Sequence, residues 1–409
     1  MITTDHGRQW QRVVLPIAQM YHVAVDNAVP YGLHGSEQDK SSTRGPGASL
    51  GGNITWSRTA GCESGFAIPD PKNPNIIWGT CYAGGVERYD VRTGVTRSVD
   101  VWPEKFLDAP ANVSKYRWNW THVVYISPHD SNTVYVGSQY LHVTTNAGQS
   151  WKIISPDLTT DDKSKQGPSG GLTHDNLGVE EGCTIFAMAE APQEKGVLWV
   201  GSNDGIVSLS RDGGKTWQKD LTKNVPGFLK WGSINNIEAS RHAKGTAYIS
   251  VDGHQVNNRD PYIYKTTDYG KTWKALGAGI PKSVFSYVRV VREDPKVPGL
   301  LYAGTENGLY VSHDDGATWT SLQLNLPHVG ISWIEVQPAF NDLVVATSGR
   351  GFYILDDLTP IQKAKPEVNN AVATLFEPRA TYRLISRPPG FMNTPIGFGG
   401  FGGGGFVGG

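Results

Sequence analysis

The residues of this chain best placed to do chemistry are carboxylates in predicted loops. Asp39, Glu63, Glu180, Glu181, Asp204 and Glu306 fall just before a strand or between two strands. Two carboxyls facing each other across a sugar, one protonated and one ionised, can cleave a glycosidic bond. Asp39, Glu63, Glu181 and Glu306 are the catalytic candidates, with solvated rim charge or pairing to Arg117 or Arg289 as the competing reading. Around them Glu63, Arg117, Asn119, Glu181, Asn235, Arg289 and Arg350 make a ring of carboxylates, guanidiniums and amides. Such a ring suits a glycan or a peptide end held by charge-assisted hydrogen bonds.

These residues converge only if the chain repeats, and it does. Ser210-Arg211-Asp212-Gly213-Gly214-Lys215-Thr216-Trp217 recurs as Thr266 to Trp273 and as Ser312 to Trp319. Looser copies end at Trp151 and Trp10. The pattern Ser/Thr-x-Asp-x-Gly-x-Thr/Ser-Trp has the physics of a hairpin tip. The carboxylate accepts turn amides, glycine supplies a positive φ, and tryptophan fills the core as the next strand starts. Asp212, Asp268 and Asp314, with Trp217, Trp273 and Trp319, are therefore read as structural, at outer tips opposite the channel mouth.

The steps from Trp151 to Trp217, Trp273 and Trp319 are 66, 56 and 46 residues. Degenerate copies at Gly52 to Trp56 and at Gly94-Val95-Thr96-Arg97 fill the longer first gap, the second with Arg97 in place of tryptophan. A period of this size, with several short strands per unit, predicts an all-β, seven-bladed β-propeller with Asp-box hairpins. Blades of four strands start near residues 15, 63, 120, 183, 233, 286 and 331. Residues 1–14 are the end of an earlier blade or a closing strand, 15–385 the propeller, and 386–409 a Gly/Phe-rich disordered linker or truncated tail. The 49 glycines, 25 prolines and 13 tryptophans agree with a turn-rich β chain, and no segment reads as helical.

A formal net charge of −1 and no clustering of basic with aromatic residues argue against nucleic acid. No apolar run is long enough to span a bilayer. Zinc spacings, EF-hand loops and phosphate loops are absent from the sequence, so no metal and no cofactor is expected. Cys62 and Cys81, placed in one predicted blade, can pair, while Cys183 reads as a buried thiol. Residues 31–53 and 157–182 read as long loops, either binding lids or disordered. Asp161-Asp162-Lys163-Ser164-Lys165 reads as a solvated charge cluster, and His174-Asp175 has no matching nucleophile. Trp118, Trp120, Trp231 and Trp333 can stack on sugars or plug blade interfaces.

With the boxes, Tyr21 to Asn27, Gln38-Asp39, Thr184 to Glu190, Tyr264 to Gly270 and Gly349 to Asp357 resemble the bacterial Asp-box propeller proteins of sortilin-like fold. These are often labelled glycosyl hydrolases because two-propeller xyloglucanases share the repeat. The resemblance runs from residue 1 to about 385. It implies an extracellular or periplasmic protein, although the chain shows no signal peptide, and a fragment of a longer one with further propeller or β-sandwich domains. In the xyloglucanases the cleft lies between two propellers, each giving one carboxylate. A single propeller therefore favours a binding module over a glycoside hydrolase.

Overall fold

A computed structural model of the chain describes residues 1–13, 15–48, 55–104, 109–170, 180–364 and 371–380. The tail expected from residue 386 and the pair His174-Asp175 lie outside them. Seven antiparallel sheets follow one another along the chain: blades 1 (20–62), 2 (67–98), 3 (124–153), 4 (185–210), 5 (233–275), 6 (288–321) and 7 (331–355). Each is a simple meander, and the first strands pack side by side around a common axis. The molecule is a seven-bladed β-propeller.

Apolar residues on both faces make the strands near the axis. Val288–Glu293 and Leu301–Thr305 of blade 6 are buried nearly throughout, as strands covered by neighbouring blades must be. Small residues ending the second strand let the next blade approach. A Cβ on Gly201 would meet Ile234 at 2.5 Å, and one on Gly304 would meet Ile331 at 2.6 Å.

The box hairpins of blades 3, 4 and 6 seat each of those blades on the one before it. Asp212 Oδ1 accepts the Thr216 amide at 2.9 Å, Oδ2 accepts the Thr216 hydroxyl at 2.6 Å, and Ser210 Oγ accepts the Gly214 amide at 2.8 Å. The Asp268 and Asp314 boxes repeat this set. Trp217 then donates from its indole to Ile154 O in blade 3, and Trp319 to Leu276 O at the end of blade 5. The tryptophans thus sit between blades, rather than between the strands of one blade.

Several expectations need correction. Within the stretch expected to be a lid or disordered, Gly32–Glu37 and Ser41–Pro46 are the second and third strands of blade 1. Their glycine and serine content hides this, because they pack through short polar contacts such as Ser36 Oγ to Ser42 Oγ at 3.0 Å, not through β-branched side chains. Among the described residues blades 4 and 7 have three strands, and the fourth of blade 4 shrinks to a Leu209–Gln218 bridge. A short helix, Thr359–Gln362, follows blade 7. Cys62 and Cys81 form a disulfide that joins blade 1 to blade 2, not two strands of one blade. Cys183 is a buried free thiol.

Residues 1–12 keep the box hydrogen bonds around Thr3 and Asp5 and an Ile2–Gln11 bridge, but Trp10 is exposed. The ring closes instead between blades 7 and 1. Ser332 Oγ donates to Met20 O, Gln337 donates to Asp26 O, and Gln19 bridges Ser348. Among the described residues no helix is long and apolar enough to cross a membrane.

Candidate functional site at the channel mouth

First strands begin, and second strands turn into third strands, on the same face of the ring, so their loops form one mouth. Five first strands carry an extra residue at this end, where the register slips. The slips lie between Met20 and Val23, Ile185 and Ala187, Ile234 and Asn236, Val288 and Val290, and Ile331 and Trp333. A bulge re-aims the side chain of its extra residue. Asn235 and Arg289 are two such residues, and each reaches a carboxylate of its own blade's mouth loop.

These two build the blade 5–6 side of the mouth. Arg289 Nε donates to Glu306 Oε2 at 2.5 Å, and Asn235 Nδ2 to Asp252 Oδ2 at 3.2 Å. Asp252 is buried and also meets Nδ1 of the more exposed His254 at 2.8 Å. The imidazole stacks on Tyr287 at 4.9 Å between centroids, and Arg289 lies 5.6 Å from the same ring.

A second group lies on blades 1 to 3. Glu63 Oε2 accepts the Asp39 amide at 2.6 Å and Gln38 Nε2 at 2.9 Å. Gln38 in turn accepts the Tyr21 hydroxyl. Burial, opposed by the nearby Trp120 and reinforced by Glu63, Glu180 and Asp39, pushes the Tyr21 phenol above its usual value. Asp39 has φ +60°, a left-handed conformation that turns the loop tightly over Glu63. Trp120 stacks on Tyr82 at 5.4 Å.

The remaining ring residues divide. Arg350 is exposed, and Asn119 caps the Thr121 amide. Arg117 is 5 % exposed and its donors are all directed inward, to Asp157 Oδ2 at 2.7 Å, Asp161 Oδ1 at 3.2 Å, Thr159 Oγ1 and Cys183 O. The 157–166 segment is therefore a strap over Arg117, and Asp161 belongs to it instead of to a solvated cluster. Glu181 is 7 % exposed and accepts the Trp118 amide at 2.6 Å and Ser114 Oγ at 3.0 Å. Burial pushes its carboxyl up to about 7 despite those bonds and the Arg117 charge. Asp204, also buried, holds Thr160 and Ser202. Trp118 is buried, and Trp231 is half-buried in the left-handed conformation.

Below the mouth, the inner wall carries His22 beside an ion-pair triad, Glu238, Arg292 and Glu335, that the motif search did not single out. His22 stacks on Phe66 at 3.8 Å and meets Trp333 edge-on at 4.4 Å. Burial, with the Arg292 charge, pushes this imidazole down to about 3. Arg292 bonds Glu238 of blade 5 at 2.8 Å and Glu335 of blade 7 at 3.1 Å, under the Trp333 ring. The signal was present: Glu238, Arg292 and Glu335 each interrupt an apolar first strand directly after an isoleucine or valine.

The BNR/Asp-box repeat model matches residues 208–219. Sortilin of Rattus norvegicus and of Mus musculus is each 25% identical over 177 residues, 42% of this chain and 18% of sortilin. The oligoxyloglucan-reducing end-specific xyloglucanase of Emericella nidulans is 27% identical over 164 residues, 37% of this chain and 19% of the enzyme. Among solved structures, a GH74 xyloglucanase from Xanthomonas campestris superposes with a TM-score of 0.58 at 16% identity, over 88% of this chain and 55% of that one. A GH74 enzyme of Niastella koreensis gives 0.52 at 15%, over 84% and 53%. The chain thus spans about half of those structures and under a fifth of the curated relatives' length. It is an Asp-box β-propeller with sortilin and xyloglucanase relatives.

Proposed function

We propose that the chain is a binding module that holds a glycan at its channel mouth. The observation that carries this reading is the separation of acidity from access among the mouth carboxylates. Hydrolysis of a glycoside needs a protonated carboxyl and an ionised one that both reach the substrate. Glu181 has the raised carboxyl such an acid needs, yet it is sealed beneath Trp118 and Ser114. Glu306 and Glu63 are more accessible, but Glu306 is already paired to Arg289 and Glu63 already accepts the Asp39 amide and Gln38. Glu63, Asn235, Arg289, His254 and Arg350 instead offer fixed donors and acceptors of the kind that hold sugar hydroxyls.

Arg117, Asn119 and Glu181 act in this reading as supports of the mouth loops. The alternative is a glycoside hydrolase in which Asp39, Glu63 or Glu306 pairs with a carboxylate from a second propeller. The half-length coverage of the xyloglucanase structures keeps it in view. The Cys62–Cys81 disulfide supports an extracellular or periplasmic location. Titration calorimetry with oligosaccharides, neutral and acidic, and with peptides tests the proposal, with product analysis on the same samples. Binding without turnover supports it. Reducing-end release by this chain alone, lost in Glu63→Gln or Glu306→Gln, would overturn it.

A further inference from the structure

Far from the mouth, on the outer rim between blades 2 and 3, a groove of about 460 Å³ opens among Arg88, Arg97, Asp100 and the box loop Ala147 to Gln149. That volume is within the range of small-ligand sites. Arg88 and Arg97 face each other directly across the antiparallel pair Gly85–Asp90 and Val95–Ser98. Like charges directly opposed across two strands destabilise them. Arg117, Arg289 and Arg292 all hold carboxylates, whereas no hydrogen bond or ion pair from the Arg88 or Arg97 side chain is seen among the described residues. Asp90, whose carboxyl feels the Arg88 charge, already takes a bidentate bond from Arg92. Asp100 is committed to the Val86 amide at 2.6 Å.

The opposite wall is rigid. Trp151 donates to Val99 O at 2.8 Å, and Gly148, at φ +81°, lies so close to Val99 that a Cβ there would meet it at 2.5 Å. The groove therefore keeps its shape without a ligand, and its two open guanidinium forks match the geometry of an oxyanion. We propose that this groove binds an oxyanion group of an acidic glycan, a sulfate or a carboxylate, as a site separate from the mouth.

Calorimetry with a heparin tetrasaccharide and an oligogalacturonate distinguishes the two anions, with a neutral xyloglucan oligosaccharide as reference. The expected result is tighter binding of one or both acidic probes than of the neutral one, weakening as salt rises. Arg97→Gln should lower that affinity about tenfold, the scale of one charge-assisted contact. Arg88→Gln/Arg97→Gln should abolish the preference while leaving neutral-glycan binding at the mouth as it was. Because Arg97 is exposed, its single variant folds even if the double one does not, and its melting temperature should be no lower than the parent's. Equal affinity of parent and Arg97→Gln for both acidic probes would overturn the proposal. So would loss of acidic and neutral binding together in a folded variant, which would place the anion at the mouth.

Discussion

Trp319 of blade 6 donates its indole N–H to the carbonyl of Leu276, at the end of blade 5, at 2.7 Å. The same bond joins Trp217 to Ile154 and Trp151 to Val99. A repeat visible in the sequence as a hairpin tip is therefore also the fastening of blades 3, 4 and 6 to the blades before them, whereas the Trp273 indole bonds Gly270 of its own box. Burial of the ring and pairing of its one polar atom occur together, which is how a tryptophan settles in a core.

Trp319→Phe should lower stability by about 1–2 kcal/mol, for a lost hydrogen bond and a smaller ring, and Trp319→Ala by about 3–5 kcal/mol. Asp268→Ala, which removes acceptors for Thr272 and Thr266 at the tip, should cost about 1 kcal/mol. Denaturant unfolding measures all three. Equal costs for Asp268→Ala and Trp319→Ala would contradict a fastening centred on the indole.

Fold and site differed in how far they could be read from sequence. The boxes are local signals, each written within eight residues, so blade number and order were legible. The bulges at Asn235 and Arg289 were not, because a register slip depends on the partner strand and leaves no residue signature of its own. Arg117 was expected at the mouth by its position before a first strand, but its partner Asp157 lies 40 residues on. Nothing local says that such a loop folds back as a strap. The second and third strands of blade 1 were hidden for a different reason. His34, Ser36 and Ser42 fill its interior with paired polar groups where β-branched residues usually signal a strand.

The strap separates two arginines that look alike in sequence. Arg289→Ala should weaken glycan binding about tenfold or more while shifting the melting temperature little, since its partner Glu306 is accessible to water. Arg117→Ala should instead cost about 3–5 kcal/mol of stability, because Asp157 and the Cys183 carbonyl lose a buried donor. Measuring affinity and melting temperature on both variants checks this. A destabilised Arg289→Ala beside an intact Arg117→Ala would reverse the assignment.

The Arg292 triad predicts non-additivity. Arg292→Met leaves Glu238, which is 9 % exposed, without its counter-charge and should cost about 3–5 kcal/mol. Adding Glu238→Gln and Glu335→Gln to it should recover much of that loss, as the penalty arises from the stranded charges. Denaturant unfolding of the single and triple variants decides it. Equal losses in the two would show that the guanidinium acts by packing under Trp333 instead.

Glu181 gives the protein a pH dependence of unusual sign. Its carboxyl rises from 4.5 in the unfolded chain to about 7 when folded, chiefly by burial. Between those values the folded state holds the extra proton, so this group's contribution is full below about 4.5 and is lost as pH rises toward 7. The shift corresponds to about 3 kcal/mol. His22, held down to about 3, works against it, since the unfolded chain gains that proton below about 6.5. The difference between the parent and Glu181→Gln isolates the first effect. The amide keeps an acceptor for Trp118 and a donor for Ser114 but carries no charge at any pH. Glu181→Gln should therefore match the parent at pH 4 and exceed it in stability at pH 8, the gap opening between pH 5 and 7. Parallel stability curves for the two proteins across that interval would mean that Glu181 stays ionised in the fold.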